Sequence, residues 1–228
     1  MESLASFADG IWLAQQDLVY LRLRLTATMT VIRLPDGSLL VHSPVALTPA
    51  RQGRVDQLGP VRHLYAPNLF HHRWIGDWAT AYPGARLHAP AGLGRKHRGL
   101  RIDRTLGESP EPAFAGVIDE VTVDGFRLRE GVLLHRPSRT LVVADLVHNL
   151  GCPTHRWTAT YARLMGFYNR VALSRAIRWT GFDDRRAARR VIDHLLSFDF
   201  DPLVVGHGDP IAAGGKRALA AAYTWLRG

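Results

Sequence analysis

The sequence has little cysteine and no long apolar segment. Its single cysteine, Cys152, excludes an internal disulfide and is typical of a protein in the reducing cytosol. No apolar run reaches the roughly 18 residues that a membrane-spanning helix requires. Residues 1–5 lack the basic and apolar regions of a signal peptide. These absences predict a cytoplasmic protein with no membrane partner.

Lysine is also scarce, and the net charge of +9 comes mainly from arginine. Such a charge can attract nucleic acid or an anionic substrate. The arginines are scattered, however, with local density only at residues 185–190. They are not interleaved with aromatic residues in the way that single-strand-binding surfaces require. The pattern therefore argues against nucleic acid as a partner and favours a solvated basic surface.

The order of apolar patterns predicts a layered fold. The 228 residues, 46% of them hydrophobic, suffice for one core, and no repeat or linker divides them, so residues 1–228 are predicted to form one domain. Two runs of strands are each followed by helices. Helices are predicted at residues 48–58, 71–83, 157–179, 183–197 and 216–226. This order predicts an α/β (α+β) fold, a four-layered αββα sandwich with helices outside two packed sheets.

One stretch near the middle of the first half combines a strand end with several polar residues. The apolar run at residues 61–65 stops at Pro67, and Asn68, His71 and His72 follow. The helix predicted from His71 rests on three aromatic residues at helical spacing. Side chains between a strand and a helix point into the crevice beyond the sheet. The histidines are therefore site candidates, although one capping the helix and one solvated histidine would explain them equally well.

Two later polar residues also follow apolar strands. Asp145 comes directly after residues 141–144, and His207 lies between Gly206 and Gly208 after the short apolar run at residues 202–205. Flanking glycines let the backbone approach other groups closely. Both residues are better explained as site residues than as turn residues, although an Asp that caps a helix or a turn is an alternative for Asp145.

These segments resemble a known superfamily. The strand ending in Asp145 and the Gly-His-Gly of residues 206–208 resemble elements of metallo-β-lactamase-fold proteins, as does the hairpin at residues 29–43. The central stretch falls where their His-x-His-x-Asp-His motif belongs. More narrowly, the chain is similar to the DUF4336 family, a divergent branch of that fold. This second resemblance rests on Asn68, His71-His72, Gly76, residues 135–140 and Asp145-Leu146.

The departures from the superfamily motif are large. With Gly76 at the glycine of the motif, the four ligand positions hold Asn68, Phe70, His72 and Arg73. Neither an amide nor a phenyl ring replaces an imidazole, and a guanidinium is permanently cationic. The Asp of the opening hairpin is replaced by His42-Ser43. The ordinary dinuclear zinc site is therefore predicted to be absent.

The resemblance leaves room for one metal ion. His72, Asp145 and His207 would supply two imidazoles and a carboxylate to zinc, iron or manganese, with His148 as a fourth ligand. His71 would then act by hydrogen bonding. Because Arg73 is permanently cationic, its side chain has two alternative placements. It either points away from the metal site, or it fills the vacated metal position and pairs with Asp145. The sequence leaves both open, so it does not decide whether a metal is bound.

Two functions follow from these alternatives. The first is a hydrolase-like protein whose single metal acts on an ester, thioester or phosphodiester, with His72, Asp145 and His207 as catalytic residues. Its small or anionic substrate would contact the remaining three candidates, which are Asn68, His71 and Arg73. The second is a catalytically silent protein that binds a small anion in the same cleft. The first is preferred. The sequence does not decide whether the chain is an enzyme, and it leaves the oligomeric state open.

Overall fold

The structure is a computed structural model that describes residues 3–227. Its first sheet contains seven strands in chain order, and its second contains four in the order β11-β10-β9-β8. The strands are β1 (Leu4–Ala8), β2 (Ile11–Tyr20), β3 (Leu23–Arg33), β4 (Leu39–His42), β5 (Val61–Tyr65), β6 (Arg86–Ala89), β7 (Arg104–Thr105), β8 (Ile118–Thr122), β9 (Gly131–His135), β10 (Thr140–Val142) and β11 (Leu203–Val204).

Helices follow or interrupt these strands. They are α1 (Pro49–Asp56), α2 (Ile75–Ala81), α3 (Leu93–Lys96), α4 (Arg156–Met165), α5 (Arg175–Thr180), α6 (Arg185–Ser197), α7 (Gly215–Ala222) and α8 (Thr224–Arg227), with a 3₁₀ turn at Pro112–Phe114. Among residues 3–227, none of the helices combines the length and the apolar character needed to cross a membrane.

Strands buried on both faces hold the layers together. In β4, Val41 packs into a core shared with α1–α3, whereas its neighbour Leu40 packs into a core between the two sheets. In β9, Leu134 packs against α6–α8 and Leu133 faces the first sheet. Because successive strand residues point to opposite faces, one apolar run supplies two cores. The predicted αββα sandwich is confirmed.

Three of the predicted helices differ from the observed ones. The helix expected at residues 216–226 is divided at Tyr223 into α7 and α8. The helix expected at residues 157–179 breaks after α4, because Gly166 adopts a left-handed conformation (φ 78°) that ends it, and a helix resumes only with α5. The helix expected from His71 begins four residues later, with α2. The side-chain oxygen of Asn68 accepts the backbone N–H groups of Phe70 and His71 at 2.8 Å each, so the chain turns there.

The loops that carry the polar candidates lie at one rim of the sandwich. β4 and β5 are parallel, as are β10 and β11, so their following loops leave from the same edge of each sheet. A backbone hydrogen bond from Thr28 N to Gly206 O, 3.0 Å, joins the two sheets there. The fold thereby brings the loops after β5, β10 and β11 together.

Candidate metal centre

Three side chains from these loops meet with their polar atoms facing one another. His71 Nε2 lies 3.2 Å from His207 Nε2 and 3.4 Å from Asp145 Oδ1, and the distance from His207 Nε2 to Asp145 Oδ1 is 3.5 Å. The side chains are only 6%, 8% and 13% exposed for His71, Asp145 and His207. The three atoms form a compact, partly enclosed triangle.

The outer nitrogens of both imidazoles are held by hydrogen bonds. His207 Nδ1 donates to the backbone oxygen of Thr26 at 2.7 Å. Because a carbonyl oxygen only accepts, the neutral ring of His207 carries its lone pair on Nε2, which faces the triangle. His71 Nδ1 lies 2.8 Å from Ser43 Oγ, which orients the second ring. Such outer hydrogen bonds are what metal-binding histidines generally have.

The carboxylate of Asp145 is held from its other side. Its Oδ2 accepts a hydrogen bond from Asn68 Nδ2 at 2.9 Å, and the same amide nitrogen donates to Glu130 Oε2 at 3.0 Å. The remaining oxygen of Asp145, Oδ1, is thereby turned toward the two imidazoles. Asn68 thus positions Asp145 without facing the centre itself.

Glu130 is a fully buried carboxylate at the base of this arrangement. It accepts three backbone N–H groups, those of Ala144 (2.8 Å), Asp145 (2.7 Å) and Leu146 (3.3 Å). Burial, followed by the nearby charge of Asp145, raises the pKa of Glu130 to about 7 in spite of these bonds. The sequence analysis did not identify Glu130. The only signal is a carboxylate immediately before the apolar strand β9.

The backbone packs tightly where the loops meet. A Cβ atom on Gly206 would lie 2.6 Å from Ala144 O and 2.6 Å from His71 Cε1, so only glycine fits between them. Gly208 has φ of 92°, and a Cβ there would lie 2.0 Å from Asn149 O. The close approach that the flanking glycines predicted for His207 is therefore confirmed.

The charges in the triangle support one another. Burial favours the neutral form of Asp145, but the imidazoles of His71 and His207 outweigh it and hold the pKa of the carboxyl well below its usual range. Burial also lowers the pKa of His207, whereas the ion pair with Asp145 and the bond to Thr26 raise it more, so its net shift is upward. A carboxylate that stays ionised because of neighbouring positive charge is suited to hold a bound cation.

The donor set fits a divalent metal ion. Two imidazole nitrogens and one carboxylate oxygen are ligands of catalytic zinc sites, and ligand atoms at about 2.0–2.1 Å from a tetrahedral zinc lie roughly 3.3 Å apart. The three observed separations, 3.2–3.5 Å, match that spacing. The centre also opens onto a cavity of about 590 Å³, which His148 and the three residues line. His71, Asp145 and His207 would hold the ion and leave a position open toward this cavity.

Comparison with known proteins identifies the fold. Residues 8–93 match the model of DUF4336, a domain of unknown function. Over 99% of this chain, the structure superposes on 98% of a metallo-β-lactamase from Pontibacter korlensis with a TM-score of 0.66 and 12% identity. The chain has the metallo-β-lactamase fold. The resemblance to DUF4336 is confirmed over residues 8–93.

Two further solved structures show how far the likeness extends. The Flv1 flavodiiron core from Synechocystis sp. PCC6803 covers 99% of this chain at TM-score 0.71 and 12% identity, over 60% of its own length. The metallo-β-lactamase FIM-1 from Pseudomonas aeruginosa in its mono-zinc form covers 99%, over 94% of its own length, at TM-score 0.62 and 11% identity. Comparison with curated protein sequences finds no match. At these identities the likeness establishes the fold alone.

One predicted ligand is displaced from the centre. His72 was expected to bind the metal, but its Nδ1 lies 2.7 Å from His97 Nε2, and the two rings meet edge to face. His71, expected to contact substrate or to support a ligand, contributes Nε2 in its place. The exchange results from the turn that Asn68 holds, which an alignment on Gly76 does not represent. The position expected for His72 is therefore taken by the preceding residue, His71.

His148, the proposed fourth ligand, borders the centre without joining it. Its ring lies 5.5 Å from the ring of His207 and 5.8 Å from that of Phe167. It is 7% exposed, and its Nδ1 has no hydrogen-bond partner within residues 3–227. Burial, together with the charge of His207, lowers the pKa of His148 to about 4. It is thus a neutral imidazole on the cavity wall.

The two remaining candidates differ in their access to the cavity. Asn68, expected to bind substrate, is fully buried and uses both ends of its amide within the protein, so that expectation is wrong. Arg73 lines the cavity and is exposed, with its guanidinium 5.3 Å from the centre of the Trp74 ring. It does not fill a vacated metal position, because the ion-pair partners of Asp145 in the described chain are His71 and His207.

Replacing Arg73 by alanine is therefore expected to change the free energy of unfolding by less than about 0.5 kcal/mol, as for most exposed positions. A buried arginine, Arg104, donates to Glu120 at 2.7 Å and serves as the matched control. Arg104→Ala is expected to lower the melting temperature clearly, since it leaves that carboxylate unpaired. Thermal unfolding of both variants tests the placement, and an equal loss in the two would contradict it.

His42 is the last residue of β4, where the superfamily resemblance implied an aspartate. It is 1% exposed, its ring stacks on Tyr65 at 5.5 Å between centres, and neither ring nitrogen has a hydrogen-bond partner in the described part of the chain. Burial, with a smaller contribution from the charge of His71, lowers the pKa of His42 to about 3. The folded protein therefore carries this imidazole neutral and unsatisfied, which is destabilising.

His42→Phe is expected to stabilise the fold by about 1–3 kcal/mol, because the stack remains and the unsatisfied nitrogens are removed. It should also reduce acid sensitivity. Between pH 6.5 and about 3 the unfolded chain binds a proton at His42 that the folded chain does not. The free energy of unfolding therefore falls as the pH falls in that window, by about 1.4 kcal/mol per pH unit. Thermal melts near neutral pH and in mild acid check both effects, and a lower melting temperature for the variant at both would refute them.

A second group of buried ligand-type residues consists of His63, His88 and Glu111. Arg104 Nε donates to His88 Nδ1 at 2.9 Å, so His88 presents Nε2–H to His63 Nδ1 at 3.0 Å. Both lone pairs are thus used within the protein. The carboxylate of Glu111 pairs with Arg86 at 3.0 Å. The guanidinium groups of Arg86 and Arg104 already supply positive charge here, and neither imidazole has a free nitrogen lone pair directed at the carboxylate. This group is therefore a structural network rather than a metal site.

Proposed function

We propose that this protein is a hydrolase of ester, thioester or phosphodiester bonds, dependent on one divalent cation held by His71, Asp145 and His207. The observation that supports it is the triangle of ligand atoms at 3.2–3.5 Å, buried at the base of a cavity of about 590 Å³. Zinc, iron and manganese all suit this mixed set of nitrogen and oxygen donors. When bound, such a cation polarises a carbonyl or phosphoryl oxygen and lowers the pKa of water.

The residues around the centre have distinct parts in this proposal. Glu130 and Asn68 hold Asp145 so that one of its oxygens stays directed at the imidazoles. His148, neutral because of its lowered pKa, contributes an uncharged imidazole to the cavity wall beside the centre. Arg73 lines the same cavity and offers positive charge to an anionic part of the substrate.

The proposed activity is tested by assaying three substrate classes: a p-nitrophenyl ester, an acyl thioester and bis(p-nitrophenyl) phosphate. Hydrolysis of at least one is expected, together with its loss on chelation and its recovery on addition of a single metal. His207→Ala should remove the activity, and His194→Ala, at an exposed histidine of α6, should retain it. Hydrolysis that is insensitive to chelator, or none with any class, would contradict the proposal.

The alternative is a catalytically silent protein that binds a small anion in the same cleft through Arg73 and neighbouring arginines. Arg73 would serve either function, so the hydrolase is preferred because of the ligand triangle of His71, Asp145 and His207. The assay above separates the two functions, because a silent binder would bind a small anion without hydrolysing any of the three substrates.

A further inference from the structure

The cavity above the metal centre is mainly apolar, and this restricts the substrate. Polar side chains lie at its base, whereas its walls are built from aliphatic and aromatic ones. On one side these are Leu18, Leu23 and Leu25 of the β2–β3 hairpin, and on the other Leu150, Phe167 and Ile177. A volume of about 590 Å³ is within the range of roughly 300–1,000 Å³ that small-molecule pockets have.

Part of the hairpin wall is left uncovered by the protein core. Leu18 and Leu25 are cross-strand partners, and both remain only half-buried although both line the cavity. Their neighbours on the opposite face, Val19 and Arg24, form the next pair and are exposed. Apolar side chains that line a concave surface without being covered indicate a ligand-binding groove.

Charged groups are few in the cavity lining, which also contains the neutral polar residues Tyr20, Ser43, Tyr161, Ser174 and Thr180. Besides the centre and His148, positive charge comes from Arg73 and Arg127 at the lining. A phosphodiester carries its charge at the reacting phosphorus, and its oxygens need several converging donors. The centre is instead adjoined by an apolar wall, which suits a scissile carbonyl attached to an apolar chain.

We infer that the substrate is an ester or thioester of an apolar acyl chain, with the chain along the hairpin wall and the carbonyl carbon at the metal centre. This inference rests on the proposed function and selects among its three substrate classes. In the reaction the acyl C–O or C–S bond breaks and the oxygen of water forms a new bond to the acyl carbon. One proton of water goes to the departing alcohol or thiol, and the other is released to solvent as the acid product ionises to a carboxylate.

Binding of the product acids tests this inference without any measurement of turnover. Calorimetric titration of the protein as purified would use acetate, hexanoate, octanoate and decanoate. The dissociation constant is expected to fall about fourfold for each added methylene until the cavity is filled. The heat-capacity change should be negative, as for burial of apolar surface. A dissociation constant independent of chain length would overturn the inference.

Variants on the two faces of the hairpin provide a matched comparison. Leu25→Asp, inside the cavity, is expected to weaken decanoate binding at least tenfold and to leave acetate binding unchanged. Val19→Asp, on the outer face of the same hairpin, should change neither. Ile177→Asp on α5 repeats the test on the opposite wall if Leu25→Asp does not fold. Equal effects of Leu25→Asp and Val19→Asp would overturn the inference.

The hydrolase function and the acyl substrate can be refuted independently of each other. Chain-length-dependent binding without chelator-sensitive hydrolysis would refute the hydrolase function and leave the acyl-binding cavity. Chelator-sensitive hydrolysis of a phosphodiester, with no preference for long alkyl carboxylates, would support the metal-dependent hydrolase and refute the acyl substrate.

Discussion

Replacing His71 by alanine is expected to weaken metal binding more than about 100-fold, beyond the 10- to 100-fold typical for losing an outer hydrogen-bond partner. The reason is that only Asp145 and His207 would then remain, and two ligands rarely hold a divalent ion against water. His72→Ala is expected to leave metal binding unchanged, because His72 bonds to His97 outside the centre. Elemental analysis and metal titration of the two variants measure the difference.

The adjacent pair of histidines makes this comparison stringent. Both variants remove one imidazole from the same turn, so they control for each other in charge and size. Loss of metal in His72→Ala with retention in His71→Ala would show that the ligand is the one expected from the superfamily motif. The placement of the turn after Asn68 would then be wrong.

Replacing Glu130 by alanine is expected to destabilise the protein by about 5 kcal/mol or more. Its carboxylate accepts three backbone N–H groups and the amide of Asn68, all buried. Each buried group left unsatisfied costs about 1–3 kcal/mol. Because the stability of a whole domain is typically about 5–15 kcal/mol, the variant should be largely unfolded or melt far below the wild type.

Urea unfolding followed by circular dichroism measures this loss. Glu108→Ala removes an exposed glutamate and should be nearly neutral, whereas Glu130→Gln keeps one accepting oxygen and should fall between the two. A Glu130→Ala variant as stable as Glu108→Ala would show that the N–H groups of residues 144–146 have other partners.

The layers of the fold were predictable because the apolar pattern within each strand indicates which of its faces are buried. A strand such as β4 is apolar at three of its four positions and buried at all four, which is typical of burial on both faces, and the order of strands and helices leaves few ways to cover them. The positions of Asp145 and His207 followed from the same logic. Both come directly after such a strand, where parallel pairing brings loops to a common edge.

The third metal ligand, His71, was not predictable from the local sequence pattern. Whether His71 or His72 faces the centre depends on one turn, and that turn is held by the side chain of Asn68. Asn68 is in turn fixed by Glu130, 62 residues away in the chain. A helical repeat of aromatic residues carries no information about such a contact, so the helix was predicted to begin too early.

The same limitation applies to Arg73 and Glu130. The sequence placed Arg73 at a metal-ligand position, but its direction was decided by packing over the neighbouring Trp74. Glu130 acts through backbone groups that follow β10, at least 14 residues along the chain. Charged residues next to apolar strands are therefore identifiable as candidates, while their partners depend on tertiary contacts.

The metal content of the wild-type protein, purified without chelator, tests the central claim most directly. Elemental analysis is expected to give about one equivalent of zinc, iron or manganese per chain, and this content should decrease in mild acid as the imidazoles protonate. Added zinc should also raise the melting temperature of chelator-treated protein. A protein with no bound metal, whose melting temperature does not respond to zinc, would contradict the assignment of His71, Asp145 and His207 as a metal centre.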